Sequence, residues 1–472
     1  MGDAGEHQRP LRHTGQLNGE GSMGAKLTAM YGVVAVALLM AAAPVVAQDG
    51  QAATSETNET LFQNVRIFDG TSPRLSEPTN VLVRGNLIAA IGGEARPTAS
   101  TKVIQGSGRT LMPGLIDAHV HLAFGALTMA ELASPDLTPA KAGEAAAANA
   151  TQTLMRGFTT VRDVGGPIFE VKKLIDTGRV AGPRIWPSGP TISQTSGHGD
   201  YRTPGEGPRR WTGKASQAEL LGAGYIADGR PEVLAATREA LRGGASQIKL
   251  MAGGGTSSAY DPLDVTQYTL DEMKAAVEAA EDWGTYVAVH AYTPRAVRRA
   301  IEAGVLVIEH GQLLDEDTLK LMAQRGIWLS LQRLQDSTPD MTAQRREKRE
   351  PLIEGQERVW PLAKKLGVKL AWGTDFLFDP QQNAQQNAYI LRLKTWFSSA
   401  EILKLVTHDN AQLLALSGLR SPYRGELGVV RKGALADLIL VNGDPLANID
   451  LVADPERNFA VIMKDGKIYK GQ

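Results

Sequence analysis

The feature that most constrains the fold is an alternation. Through the middle of the chain, apolar strand-like runs such as FTTVRDVG, QIKLMAGGG, YVAVHAY and LVIEHGQ are separated by helical stretches such as LDEMKAAVEAAEDWG, TPRAVRRAIEAG and DEDTLKLMAQRG. Each of these stretches ends in Gly, as a helix C-cap does. Repeated strand–helix units over about 300 residues point to an α/β fold, a (β/α)8 TIM barrel, whose catalytic groups sit at the C-terminal ends of its strands.

The two ends of the chain read differently. LFQNVRIFDG, NVLVRGNLIAAIG and TKVIQGSGRTLMPG on one side, and LGVVRKGALADLILVNGDP and AVIMKDGKIYKG on the other, are short apolar strands broken by Gly and Asn turns. Residues 61–112 and 419–472 are therefore expected to pair into one small β-sandwich flanking a barrel at 113–418. Ahead of them, residues 1–22 are polar and Gly-rich and read as an unstructured extension. Residues 23–47 combine Lys26, an apolar stretch and small residues before Gln48, the pattern of a signal peptide cleaved after Ala47. Export to the periplasm follows; the alternative is a membrane anchor through residues 27–47. Residues 48–60 read as a polar linker.

Composition narrows the function. A chain of 472 residues with 43% hydrophobic and 21% charged residues buries a large core. Its net charge of −1 supplies no field for nucleic acid, so no nucleic-acid partner is expected. It has no cysteine, which removes disulfides, thiolate metal sites and a cysteine nucleophile. A metal must be held by His, carboxylate or something rarer.

The candidate barrel strands supply such ligands. The first, LIDAHVHL, carries His119 and His121; the fourth carries Lys249, the fifth His290, the sixth His310 and the eighth, LAWGTDF, Asp375. Residues i and i+2 of a strand share a face, so His119 and His121 project together and can chelate one ion. Lys249 has two readings. A lysine inside a barrel mouth is costly unless it is paired or chemically altered. It is either solvated or salt-bridged, or it is N-carboxylated, and the carbamate (N6-carboxylysine) offers anionic oxygens that can bridge two divalent ions. His198, in the Gly-flanked SGHGD loop after the third strand, either faces water or approaches a ligand. Tyr260, in the loop after the fourth strand, either packs on the rim or contacts substrate. Asp163 and His408 read as structural.

PGLIDAHVHL, IKLMAGGG, VAVHAY, IEHG, WGTDF and GALADLILVNGDP, in this order and spacing, resemble the amidohydrolase superfamily with a binuclear metal centre. The resemblance covers roughly residues 61–472. It implies that His119, His121 and Asp375 hold one ion and His290 and His310 the other, with carboxylated Lys249 and a hydroxide bridging them. Zinc is the default ion for such a donor set. The loops SGHGD and GGGTSSAYDPLD resemble the branch containing imidazolonepropionase-like prolidases, Xaa-specific carboxypeptidases and ochratoxin-hydrolysing amidases. That branch implies attack of the bridging hydroxide on an amide bond to an amino acid, in an N-acyl amino acid, a dipeptide or an ochratoxin-like substrate. Asp375 would be the acid–base group, His198 the oxyanion donor and Tyr260 a contact to the leaving amino acid. A homo-oligomer acting on a small-molecule amide or peptide is implied. One departure is Tyr292, where several prolidase-like members have a second His in a HAHG motif. The same site would serve a lactonase or phosphoester hydrolase, and a third reading is a non-catalytic binding protein, although no metal ligand is missing. Lys249 argues against a one-metal deaminase.

Overall fold

The structure, a computed structural model, describes residues 59–134, 136–258, 260–334 and 341–471. The extension 1–22, the expected signal 23–47 and all but the last two linker residues lie outside the described residues. Those two, Glu59 and Thr60, are not linker, because they open the strand Glu59–Ile67. The cause is local: the Glu59 carboxylate accepts from Arg84 Nε at 2.6 Å and from the Thr98 and Thr101 hydroxyls at 2.8 Å. These bonds extend the ladder to the pair Glu59 and Arg84.

The two ends of the chain meet in one eight-stranded sheet. Its order is Lys467–Lys470, Phe459–Lys464, Leu438–Val441, Thr110–Pro113, Glu59–Ile67, Thr79–Arg84 and Leu87–Ile91, with Lys102–Gln105 also on Glu59–Ile67. The joint between the ends is antiparallel, Ile439 opposite Met112 and Leu440 opposite Leu111. Phe62, Val65, Leu111, Leu438, Leu440 and Met463 form its core.

Between these ends the strands pair in parallel. A three-stranded sheet holds Leu115–Val120, Phe158–Asp163 and Arg184–Pro187. A seven-stranded sheet runs Gly224–Ile226, Thr191–Ser193, Ile248–Met251, Val287–Ala291, Val307–His310, Trp328–Leu331 and Lys369–Trp372. Most of these strands are buried along their whole length, as parallel strands covered on both faces are. The helices between them begin and end on the expected signals. Thr269 and Glu272 form a capping box on Leu270–Asp282, Thr293 caps Pro294–Ala303 before Gly304, and Glu316–Arg325 stops at Gly326.

The apolar run RIWPSGPTIS, which reads as the third barrel strand, forms two strands. Arg184–Pro187 pairs with Phe158–Asp163, whereas Thr191–Ser193 pairs with Ile248–Met251. The break falls at 188–190, where Pro190 has no amide hydrogen to give a ladder. Hydrogen bonds join the two parallel sheets at both edges. Ser246 N donates to Pro187 O at 2.7 Å and Gln247 Nε2 to Trp186 O at 3.0 Å. On the other side, Asn410 Nδ2 donates to Ile116 O at 2.7 Å and to Trp372 O at 2.8 Å. Among the described residues no helix is long and apolar enough to cross a membrane.

Candidate metal centre

Five of the six ligands expected from the sequence are imidazoles or a carboxylate, and all six line one cavity. His119 lies in Leu115–Val120 and His121 just beyond it; both are buried and their rings are 5.3 Å apart. Each places Nε2 3.2 Å from Asp375 Oδ1. Asp375 and His310 both have left-handed backbones, with φ of 53° and 80°. That conformation is uncommon for residues with a Cβ and is held here by the surrounding contacts. For Asp375 one such contact is its amide, which donates to His119 O at 2.9 Å. Ligand atoms of His119, His310 and Asp375 lie within 4.8 Å of one another.

The tautomers fit a cation. His119 Nδ1 donates to Glu309 Oε2 at 2.7 Å and His121 Nδ1 donates to Gly165 O at 3.0 Å. Both Nε2 lone pairs then face the Asp375 carboxylate, an acceptor facing two acceptors. His119 Nε2 is buried and has no hydrogen-bond partner among the described residues. A positive ion between these atoms removes the repulsion and satisfies that nitrogen. Burial opposes charge on Asp375, and N–H donation and positive charge from His119, His121 and His310 lower its pKa well below the ordinary carboxylate range; where those imidazoles keep their lone pairs, a bound cation supplies the same pull. It is an anion at neutral pH.

His290 and His310 stand beside this group with rings 4.4 Å apart. His290 Nε2 donates to Gly254 O at 3.1 Å, which leaves Nδ1 as its ligand atom. Burial and neighbouring positive groups push both pKa values well below that of a free imidazole, so both keep a lone pair. Lys249 is 2% exposed on Ile248–Met251, the strand paired with that of His290. Burial lowers its pKa against the pull of Glu309 and Asp375. This favours the unprotonated amine, the form that reacts with carbon dioxide.

Sequence reading missed the support behind these ligands. Glu309 is fully buried between His119 and Arg162, whose Nη2 donates to Oε1 at 2.5 Å. Arg162 Nε also donates to Ala118 O at 2.6 Å. Burial opposes the Glu309 charge, and Arg162 and His119 together hold its pKa far below the usual range. The available signal was its place in the sequence, one residue before His310 in IEHG. Asp163 is structural as expected: Oδ2 accepts from Leu122 N at 2.8 Å, tying down the turn after His121. Burial pushes its pKa up to about 7.

His198 lines the cavity and stacks on His290 with ring centroids 4.0 Å apart. Its Nδ1 is 2.6 Å from Ser258 Oγ and 3.5 Å from Asp261 Oδ2. Gly255 closes on the ring as well, so that a Cβ there would fall 2.1 Å from it. Tyr260 is not brought to the cavity; it is 46% exposed, and the tyrosines that line the cavity are Tyr201, Tyr292 and Tyr389. Tyr292, the departure from HAHG, packs 4.8 Å from His290 and 5.3 Å from His310. His408 lies apart, its Nδ1 on Asp409 at 2.8 Å.

Parallel strands that bring buried imidazoles and an ionised carboxylate to one cavity define a candidate metallohydrolase. The sequence profile of the amidohydrolase family matches residues 110–471. The chain is 30% identical over 438 residues to ochratoxinase of Aspergillus niger, covering 89% of this chain and 88% of that one. The solved structure of that ochratoxinase superposes with a TM-score of 0.75 at 27% identity, over 88% of this chain and 96% of that one. A solved prolidase complexed with N-methylphosphonate-L-proline superposes at 0.79 with 32% identity, over 88% of this chain and all (100%) of that one. The chain belongs to the amidohydrolase family. It is a hydrolase of amide or peptide bonds.

Proposed function

We propose that this chain is a binuclear metal-dependent amidohydrolase that cleaves the amide bond between an acyl group and an amino acid. The observation that carries this reading is the pair of imidazole lone pairs at 3.2 Å from the ionised Asp375 carboxylate. In this reading the two parallel sheets form one (β/α)8 barrel at 113–418, with Arg184–Pro187 and Thr191–Ser193 as successive parts of its third strand and Gly224–Ile226 outside the eight, supported by the hydrogen bonds at both of their edges. In the same reading the eight-stranded sheet built from both chain ends folds over on itself as the β-sandwich.

His119, His121 and Asp375 would hold one ion and His290 and His310 the other, with Lys249, as N6-carboxylysine, supplying anionic oxygen to the pair. Zinc is the ion that suits this set. When bound, the ions polarise the amide carbonyl and make water nucleophilic near neutral pH. Asp375 takes the proton from the attacking water and returns it to the leaving nitrogen. His198 donates to the oxygen on which negative charge develops. The amino-acid amide is supported by the relatives, ochratoxinase and a prolidase crystallised with a proline phosphonate. Export to the periplasm through residues 23–47 and assembly into a homo-oligomer complete the proposal.

The test is a panel of N-acyl amino acids and dipeptides, with lactone and phosphoester controls, against metal-reconstituted protein. Amide turnover well above the controls is expected. Faster turnover of lactones or phosphoesters, or no turnover of any N-acyl amino acid or dipeptide, overturns the proposal.

A further inference from the structure

Lys348 lies near the start of the helix Ala343–Lys365, which follows the strand Trp328–Leu331. Its half-buried side chain crosses to the loop that follows a different strand, Ile248–Met251. There Nζ donates to three backbone carbonyls: Gly255 O at 3.1 Å, Ser258 O at 3.0 Å and Asp261 O at 2.7 Å. An ammonium has three hydrogens, and all three are used on one loop.

The same three residues hold His198. The Gly255 backbone packs against the ring face, Ser258 Oγ lies on Nδ1 and the Asp261 carboxylate stands 3.5 Å from that nitrogen. The loop is also tied internally, since Gly255 N donates to Asp261 Oδ2 at 2.5 Å. With Nδ1 occupied, Nε2 is the ring nitrogen left for a ligand. The geometry points to Lys348 as a positioning residue that fixes Gly255, Ser258 and Asp261 in the arrangement that aims His198 into the cavity. This rests on the role given to His198 above. Lys348 touches no reacting atom; it acts through the loop. Three carbonyls gathered on one cation repel one another when the cation is removed, so a neutral side chain of equal length does not hold the same loop.

The test uses the metal-loaded full chain and an amide substrate. Lys348→Met is expected to lower kcat roughly 10- to 100-fold, the range of a small misplacement near the chemistry. KM changes little and both ions are retained. Lys348→Cys introduces the sole cysteine of the chain, so it can be alkylated selectively. Aminoethylation with 2-bromoethylamine restores an ammonium and is expected to recover kcat, whereas carbamidomethylation leaves it low. Adding Lys348→Met to His198→Ala is expected to cost nothing further.

Wild-type kcat in Lys348→Met, loss of metal in that variant, equal recovery with both reagents, or additive losses in the double variant overturns the inference. If His198→Ala keeps full kcat, the role of His198 is wrong and the inference falls with it. If His198→Ala is slow and Lys348→Met is not, the inference alone fails. Hydrogen exchange needs no substrate: Lys348→Met is expected to speed exchange of the Gly255 amide, and unchanged exchange there also overturns the latch.

Discussion

Replacing Glu309 with Gln changes one atom and disturbs two partners. The carboxylate accepts from Arg162 Nη2 at 2.5 Å on one oxygen and from His119 Nδ1 at 2.7 Å on the other, with all three side chains fully buried or nearly so. An amide has a single oxygen. If it faces Arg162, its NH2 faces His119 and forces Nδ1 to accept, which moves the ring proton to Nε2 and removes the ligand lone pair. If it faces His119, the guanidinium meets an NH2 group. Either way Arg162 loses its counter-charge, and breaking a buried ion pair by neutralising one partner costs about 3–5 kcal/mol. Loss of the carboxylate behind a metal-binding histidine costs roughly 10- to 100-fold in metal affinity. Urea unfolding of metal-free Glu309→Gln isolates the first effect, because bound metal no longer contributes to stability. Competition against a chelator measures the second. Joint replacement with Glu309→Leu and Arg162→Met is expected to be less destabilising than Glu309→Gln, since no charge is stranded. The reasoning is refuted if Glu309→Gln unfolds within about 0.5 kcal/mol of wild type, the range of a neutral surface change, and retains metal equally well.

Lys249→Ala is expected to lose metal and nearly all activity, with partial recovery from short carboxylic acids; Lys249→Arg is not expected to rescue, because guanidinium stays protonated. Metal reconstitution of wild type is expected to be faster with bicarbonate and to accelerate as pH rises, because the unprotonated amine is needed. Equal rates in carbonate-depleted buffer would contradict the carbamate. Gly255→Ala places a Cβ 2.1 Å from the His198 ring, so kcat is expected to fall roughly 10- to 100-fold with metal content unchanged; normal kcat would show that the ring position is not critical. Mature protein from the native host is expected to begin near Gln48, and N-terminal sequencing that recovers residues 25–45 from active enzyme would favour an anchor.

The candidate ligands that share the cavity were legible because they sit where strand, turn and chemistry coincide. His119 and His121 share a face by the two-residue period of a strand, and His290, His310 and Asp375 each end an apolar run. Their support was hidden by the same physics. Arg162 and Glu309 lie within buried strands, where a charged residue is visible in sequence but its partner on another strand is not. Lys348 sits in AQRREKREPLIEGQERVW, whose charges and internal Pro351 look like a solvated, broken segment, yet the helix runs from Ala343 to Lys365. Tyr260 carried no periodicity to say which way it points, and it stands exposed. The three-residue strand Gly224–Ile226 is too short to leave a pattern.

The central claim is that hydrolysis depends on two ions held by these six residues. Metal-free protein titrated with zinc, while amide hydrolysis is followed, is expected to rise from near zero and level at two equivalents per chain. Full activity without metal, or a plateau at one equivalent, would contradict it.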